Sequence, residues 1–196
     1  MYLIFFTYIT IITINKKIKM PEYIEFLSIE EIAKDYAIRR HRDVNHYYDA
    51  IHSYVFHLQM TVDAAIKYIY LIPVEDRSNV LAGCWVHDII EDARETYNNV
   101  KKATNEIVAN YAYAVTNEKG KTRKERANKK YYIGIKNYKH SSYIKLADRI
   151  ANVTFSVESK SSQFSMYQKE FDNFYSNLYD GRFDDMWDEL RKLLNK

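Results

Sequence analysis

From Ser28 to the C-terminus, apolar residues recur at three- and four-residue spacing with almost nothing to interrupt them. Four glycines and two prolines are all that the 196 residues contain. Strand-rich folds need such turn formers at short intervals, whereas helices joined by short links do not. The pattern therefore predicts an all-α chain. Ser28-Ile29-Glu30-Glu31 is a capping-box start, and it opens a helix to about Arg42 with Ile29, Ile32, Ala33, Tyr36 and Ala37 on one face. After a polar, aromatic link, a second helix over 53–72 turns Val55, Leu58, Val62, Ala65, Ile66 and Ile69 inward, and Pro73 breaks it. Further helices are predicted over about 76–92, over 97–115 in one or two pieces, from near Thr122, and over 141–157. Two closing helices, 161–176 and 183–194, join at Asp180-Gly181. No internal repeat or composition break follows residue 20, which predicts one helical domain over 20–196.

Residues 1–19 begin MYLIFFTYITIITI, 14 apolar or Thr positions. A bilayer-spanning helix needs about 20 such residues, and the basic start and small-residue cleavage site of a signal peptide are missing. We expect this stretch to be a leader outside the fold, with Met20 the natural start; a membrane or partner anchor is the rival expectation. A net charge of +3 predicts no nucleic-acid partner unless the charge is clustered. One cysteine excludes an intramolecular disulfide and any multi-cysteine zinc site, and suits a reducing, cytoplasmic setting.

Residues 84–92, CWVHDIIED, break the pattern chemically. Cys84, Trp85, Val86, Ile89 and Ile90 are core types, yet His87 and Asp88 sit among them, with Glu91 and Asp92 one turn later. An unpaired carboxylate in apolar surroundings costs several kcal/mol or takes up a proton. His57, within SYVFHLQMTV, and Asp148, within IKLADRIANV, repeat the anomaly. A hydrogen-bonded core histidine or a capping aspartate would explain any one of these residues alone. Four of them at helix centres suggest a shared cause, and a bound cation would offset all the buried charge together. Imidazole plus carboxylates without thiolates suits Mn²⁺, Fe²⁺, Co²⁺ or Mg²⁺ better than structural zinc.

His57, His87-Asp88 and Asp148, in this order on separate helices, resemble the HD-domain metal-dependent phosphohydrolases. The likeness is greatest to the (p)ppGpp hydrolase branch, that of the RelA/SpoT hydrolase domain and its small stand-alone relatives. Tyr54-Val55-Phe56-His57 resembles that branch's Tyr-x-x-His motif, and Val86 to Asp92 its His-Asp-x-x-Glu-Asp motif. Val115-Thr116-Asn117-Glu118 and its basic continuation resemble the Val-Thr-Asp-Glu segment, and Lys145 to Asn152 the Lys-Leu-Ala-Asp-Arg-x-x-Asn motif. The four motifs span about residues 30–155. MYQKEF and MWDELRKLL resemble the tail of the small members. Two departures stand out. Tyr47-Tyr48-Asp49 and Ile51-His52-Ser53-Tyr54 lack the family's Arg-Lys pair and proline, residues that face substrate in the hydrolases, and Asn117 stands where Asp is usual.

The resemblance implies a single HD-type helical bundle holding one Mn²⁺ through His57, His87, Asp88 and Asp148. His57 is preferred over His52 because it lies inside the apolar segment and follows Tyr54 at the family spacing. It implies that Glu91 takes or orients the proton of an attacking water, with Asp92 assisting. Asn152 and Lys145 would meet substrate from the Asp148 helix, Lys119, Arg123 and Arg126 would grip phosphate, and Tyr48 would stack on a purine. The expected activity is hydrolysis of a small purine nucleotide, foremost removal of the 3′-pyrophosphate of (p)ppGpp. The 2′-phosphate of NADPH and a catalytically silent nucleotide-binding protein are the alternatives. A homo-oligomer is compatible with the sequence, and a membrane partner is expected only if residues 1–19 are an anchor.

Overall fold

The computed structural model describes residues 27–196. The expectations for residues 1–19, a leader or an anchor, lie outside the described residues. Helix α1 (Ile29–Asp43) opens on the capping box: the Ser28 hydroxyl accepts from the Glu31 backbone N–H at 3.2 Å, and the Glu31 carboxylate accepts from the Ser28 N–H at 2.8 Å. Helix α2 (Tyr54–Lys67) ends earlier than the apolar pattern suggests. Two 3₁₀ turns, Ile69–Leu71 and Val74–Asp76, carry the chain past Pro73, whose ring bars the helix from continuing.

The predicted helix over 76–92 is two pieces, α3 (Arg77–Val86) and α4 (Ile89–Asp92), broken at His87-Asp88. The region 97–115 is also divided, into α5 (Tyr97–Ala103) and α6 (Glu106–Val115), because the Asn105 side chain caps a new start by accepting from Val108 N–H. A basic turn α7 (Arg123–Arg126) and α8 (Lys129–Lys136) precede the long helix α9 (Ser141–Glu158). Helices α10 (Gln163–Leu178) and α11 (Asp184–Leu194) close the chain, with Gly181 supplying φ +79° at their junction. The described residues contain no β-strand.

The core explains why α9 is central. Eleven of its 18 residues are buried, and it packs against α2, α3, α6, α8, α10 and α11. Tyr143, Ile144, Leu146 and Val153 are fully buried there, beside Trp85 of α3, Leu58 of α2 and Phe174 of α10. On the remaining face, Lys145, Asp148, Arg149 and Asn152 follow at three- and four-residue intervals, which aligns them along the helix. This polar stripe on a buried helix forms one wall of the site.

Candidate metal centre and active-site cavity

His57 comes from the middle of α2, His87 and Asp88 from the break between α3 and α4, and Asp148 from α9. His57 and His87 are 1% and 0% exposed. Their Nε2 atoms lie 3.1 Å apart. Asp88 Oδ2 is 3.4 Å from His57 Nε2 and 3.0 Å from His87 Nε2; Asp148 Oδ1 is 3.3 and 3.6 Å from the same two atoms. Donors coordinated at 2.0–2.2 Å in tetrahedral or octahedral order sit about 3.0–3.6 Å from their neighbours, and all five distances fall in that range.

The ring orientation agrees. His87 Nδ1 lies 2.8 Å from the Cys84 carbonyl, which can only accept, so Nδ1 is committed as a donor there and Nε2 is the atom that faces the other donors. The His57 ring stacks on Tyr48 at 5.0 Å with a 5° interplanar angle, which fixes its orientation. Asp148 Oδ2 is bound by Lys145 Nζ at 2.7 Å, and Oδ1 also accepts from Asn152 Nδ2 at 2.6 Å. Tyr54 donates to Asp88 Oδ2 and lies 3.2 Å from Asp92 Oδ2. His57, His87 and Asp88 bring one donor atom each within 4.8 Å of one another, and Asp148 Oδ1 stands beside the two imidazoles; in residue type and in this three-donor spacing the set fits a divalent cation.

Charge tells the same story. Burial disfavours a charged His87, yet Asp88 and Asp148 overrule it and push its pKa up to about 10. His57 is raised by the same carboxylates against its own burial. Asp148 is held well below the carboxylate range, against burial, by Lys145 and the two histidines. The four side chains together attract positive charge to one point.

Beside them opens a cavity of about 860 Å³, lined by His57, Asp88 and Asp148 as well as Glu91, Asp92, Arg123, Arg126, Lys145 and Asn152. Its lining also includes Lys124, Lys129, Arg149 and Lys169, so cations outnumber carboxylates seven to five. Such a cavity suits an anionic ligand. Glu91 is clamped by Asn117, whose Nδ2 lies 3.1 and 2.8 Å from its two oxygens, with the Asn117 backbone N–H at 3.3 Å and Arg126 Nη1 at 3.6 Å. Asp92 is pushed up to about 6 by burial and by Asp88 and Glu91.

Among solved structures, the chain is similar to one described as a metazoan ortholog of SpoT that hydrolyzes ppGpp and plays a role in starvation responses. The TM-score is 0.67, covering 86% of this chain and 95% of that one. The chain has the HD-domain fold. No protein-family model matches it, and a search of the curated proteins gives no match. At 21% identity the likeness is one of architecture, and the chemistry must be argued from the side chains.

Within this HD-domain fold, Lys119 and Tyr48 lie elsewhere than the sequence analysis expects. Lys119 is exposed on the turn before α7 and does not line the cavity. Tyr48 is engaged inside the wall, donating to Asn152 Oδ1 at 2.9 Å and stacking on His57, so its ring backs the metal donors and does not line the cavity. Lys145 is almost buried and committed to Asp148. His52 is paired with Asp49 at 2.9 Å and stacked on Phe56, away from the donors. Sequence analysis missed Arg149, Tyr167, Lys169, Glu170, Asn173 and Asn177 in the lining. The four-residue spacing of Lys169, Asn173 and Asn177 is a polar stripe on α10 that could have signalled it, though such a stripe ordinarily faces solvent.

No helix of the described residues is long and apolar enough to cross a membrane.

Proposed function

We propose that the chain is a metal-dependent phosphohydrolase of small purine nucleotides, with (p)ppGpp, cleaved at its 3′-pyrophosphate, the foremost substrate. The observation that carries this is the convergence of His57, His87, Asp88 and Asp148 at coordination spacing on a cation-lined cavity that also presents Glu91 and Asp92. The SpoT-type neighbour, described as hydrolysing ppGpp, supports the substrate class. Mn²⁺ is the proposed metal, with Fe²⁺, Co²⁺ and Mg²⁺ compatible with the same donors. When bound, the cation supplies Lewis acidity to water and phosphate oxygens.

The protein's own groups do the rest. Glu91, oriented by Asn117, accepts the proton of the attacking water on Oε1; Oε2 takes both the amide and the backbone N–H of Asn117, whereas Oε1 takes one amide contact and keeps a lone pair. The water oxygen bonds to phosphorus as the bond to the ribose 3′-oxygen breaks, and Asp92, buried enough to hold a proton near neutral pH, gives it to the leaving oxygen. The second N–H of the Asn152 amide, beside Asp148, and the Arg126 guanidinium bind substrate. A small nucleotide substrate supports a cytoplasmic setting for the proposed reaction. A silent nucleotide binder would have no use for Glu91 and Asp92 so placed.

Purified protein with Mn²⁺, offered ppGpp, pppGpp, NADPH and other nucleotides, decides the matter. Release of pyrophosphate from (p)ppGpp is expected. His87→Ala should lose both bound manganese and turnover, because one buried donor and its backbone anchor go together. No turnover of any nucleotide by manganese-loaded protein would sink the enzyme reading.

A further inference from the structure

Four of the five carboxylates that line the cavity have work to do: Asp88 and Asp148 among the metal donors, Glu91 and Asp92 in proton transfer. Glu170 of α10 is left over, and a carboxylate is the wrong sign for a cavity that takes phosphate. Its oxygens are nevertheless fully engaged. Arg123 forks onto them, Nε to Oε1 at 2.8 Å and Nη2 to Oε2 at 3.1 Å, and Arg149 Nη1 lies 3.1 Å from Oε2. Arg149 is also held independently of Glu170: its guanidinium lies 4.4 Å from the Phe174 ring centroid and 4.9 Å from that of Tyr167. A two-point fork of guanidinium on paired oxygens is the geometry in which Arg takes phosphate as readily as carboxylate.

We propose that Arg123 and Arg149 form a second phosphate subsite of the cavity, in which the Glu170 carboxylate stands in until a phosphate group of the substrate displaces it. Glu170 and Arg123 have side chains 30% and 49% exposed, so a ligand in the cavity reaches the fork and competes with the carboxylate for it. Arg149, pinned between two rings, stays in place when the carboxylate leaves. The exchange is selective by charge. A terminal phosphate carries about −1.5 to −2 at neutral pH and outcompetes a single carboxylate charge, whereas a phosphodiester only matches it. Glu170 therefore favours substrates that carry a second terminal phosphate or diphosphate besides the one cleaved. This rests on the proposal that the cavity binds a phosphorylated nucleotide, and it names the feature of that nucleotide the second subsite selects.

The test is a double-mutant cycle read by calorimetry on manganese-loaded protein, with guanosine 5′-diphosphate, which has no 3′-phosphate to lose, as the probe. Glu170→Gln keeps shape and removes charge, and should tighten the probe about tenfold, as expected for freeing a charge-assisted phosphate fork. In an Arg149→Met background the same substitution should gain less than about twofold, because coupled partners are not additive. Guanosine, lacking phosphate, should bind all four proteins alike, which also verifies folding. Arg123→Met provides the same cycle at a more exposed position should Arg149→Met fail to fold. No tightening in Glu170→Gln overturns the proposal, and so does equal tightening in both backgrounds, the mark of a general change in cavity charge. Coupling without turnover would leave the subsite standing and remove the catalytic reading; turnover with a flat cycle would do the reverse.

Discussion

Asn117 holds both oxygens of Glu91 with its side-chain amide and adds its backbone N–H, and so fixes the direction in which the carboxylate faces. Asn117→Ala removes the amide and leaves the backbone contact alone. We expect kcat at pH 7 to fall about 10–100-fold, short of the full contribution of a general base, with KM little changed. Steady-state kinetics check this; a kcat equal to that of the wild type would mean that Glu91 does not depend on Asn117 for its role in proton transfer. The residue scale is also where sequence analysis reached furthest. His57, His87, Asp88 and Asp148 are polar interruptions of an apolar periodicity, an anomaly visible along the chain itself. Glu170 and Arg149 are not, because charges on one face of an amphipathic helix look the same whether that face meets solvent or a cavity.

The helices were legible as elements, and so were the break at Pro73 and the option of two pieces over 97–115, but the break at His87-Asp88 was not. A continuous helix over 76–92 satisfies the apolar pattern, yet the chain relaxes at Asp88, φ −103° and ψ 3°, between α3 and α4. That relaxation, together with the hydrogen bond from His87 Nδ1 to the Cys84 carbonyl, lets two adjacent side chains aim their donor atoms at one place, 3.0 Å apart. Local sequence holds no sign of it, because the need arises only when α2 and α9 bring His57 and Asp148 to the same spot. One turn before each of His87 and Asp148 stand Gly83 and Ile144, and they mark how closely α3 and α9 approach. A Cβ on Gly83 would lie 2.7 Å from Ile144 Cδ1 and 3.0 and 3.2 Å from Tyr111 Cδ2 and Cβ. The Ile144 methyl can swing aside, but Tyr111 Cβ moves only with α6. Overpacking of this kind costs about 1–3 kcal/mol, and the better helix propensity of alanine returns about 1. Gly83→Ala should therefore lower stability by about 1 kcal/mol in denaturant titrations. It should also weaken manganese binding, since α3 and α9 part where His87 and Asp148 must meet. A variant with undiminished metal affinity would show that the two helices tolerate more separation than the contacts allow.

At the scale of the whole molecule, the fold gathers donors from three separate stretches, around residues 57, 87 and 148, into one buried point whose occupant must be positive. Without a divalent cation, that occupant is a proton. Asp88 is held well below the carboxylate range, against its burial, by His87 and His57, and Asp148 by Lys145 and the same two histidines. His87, raised from 6.5 to about 10, adds stability that is fully present below about pH 6.5 and is lost as the pH climbs through 10. The depressed carboxylates add stability that is present above about pH 4 and is lost as the pH falls further. Chelator-treated protein should accordingly be most stable between about pH 4 and 6.5 and weaken above that. A divalent cation replaces the proton on His87, so its apparent affinity should rise about tenfold per pH unit for each proton released. The Tm gap between manganese-loaded and chelator-treated protein should consequently widen from pH 6 to pH 9, mainly because the chelated form loses stability over that window. Thermal melts across the range, paired with calorimetry in buffers of different ionisation enthalpy to count the protons released, measure both halves of the linkage. A gap that is constant with pH, or no protons released on binding, would mean that the cation does not bind through His57 and His87.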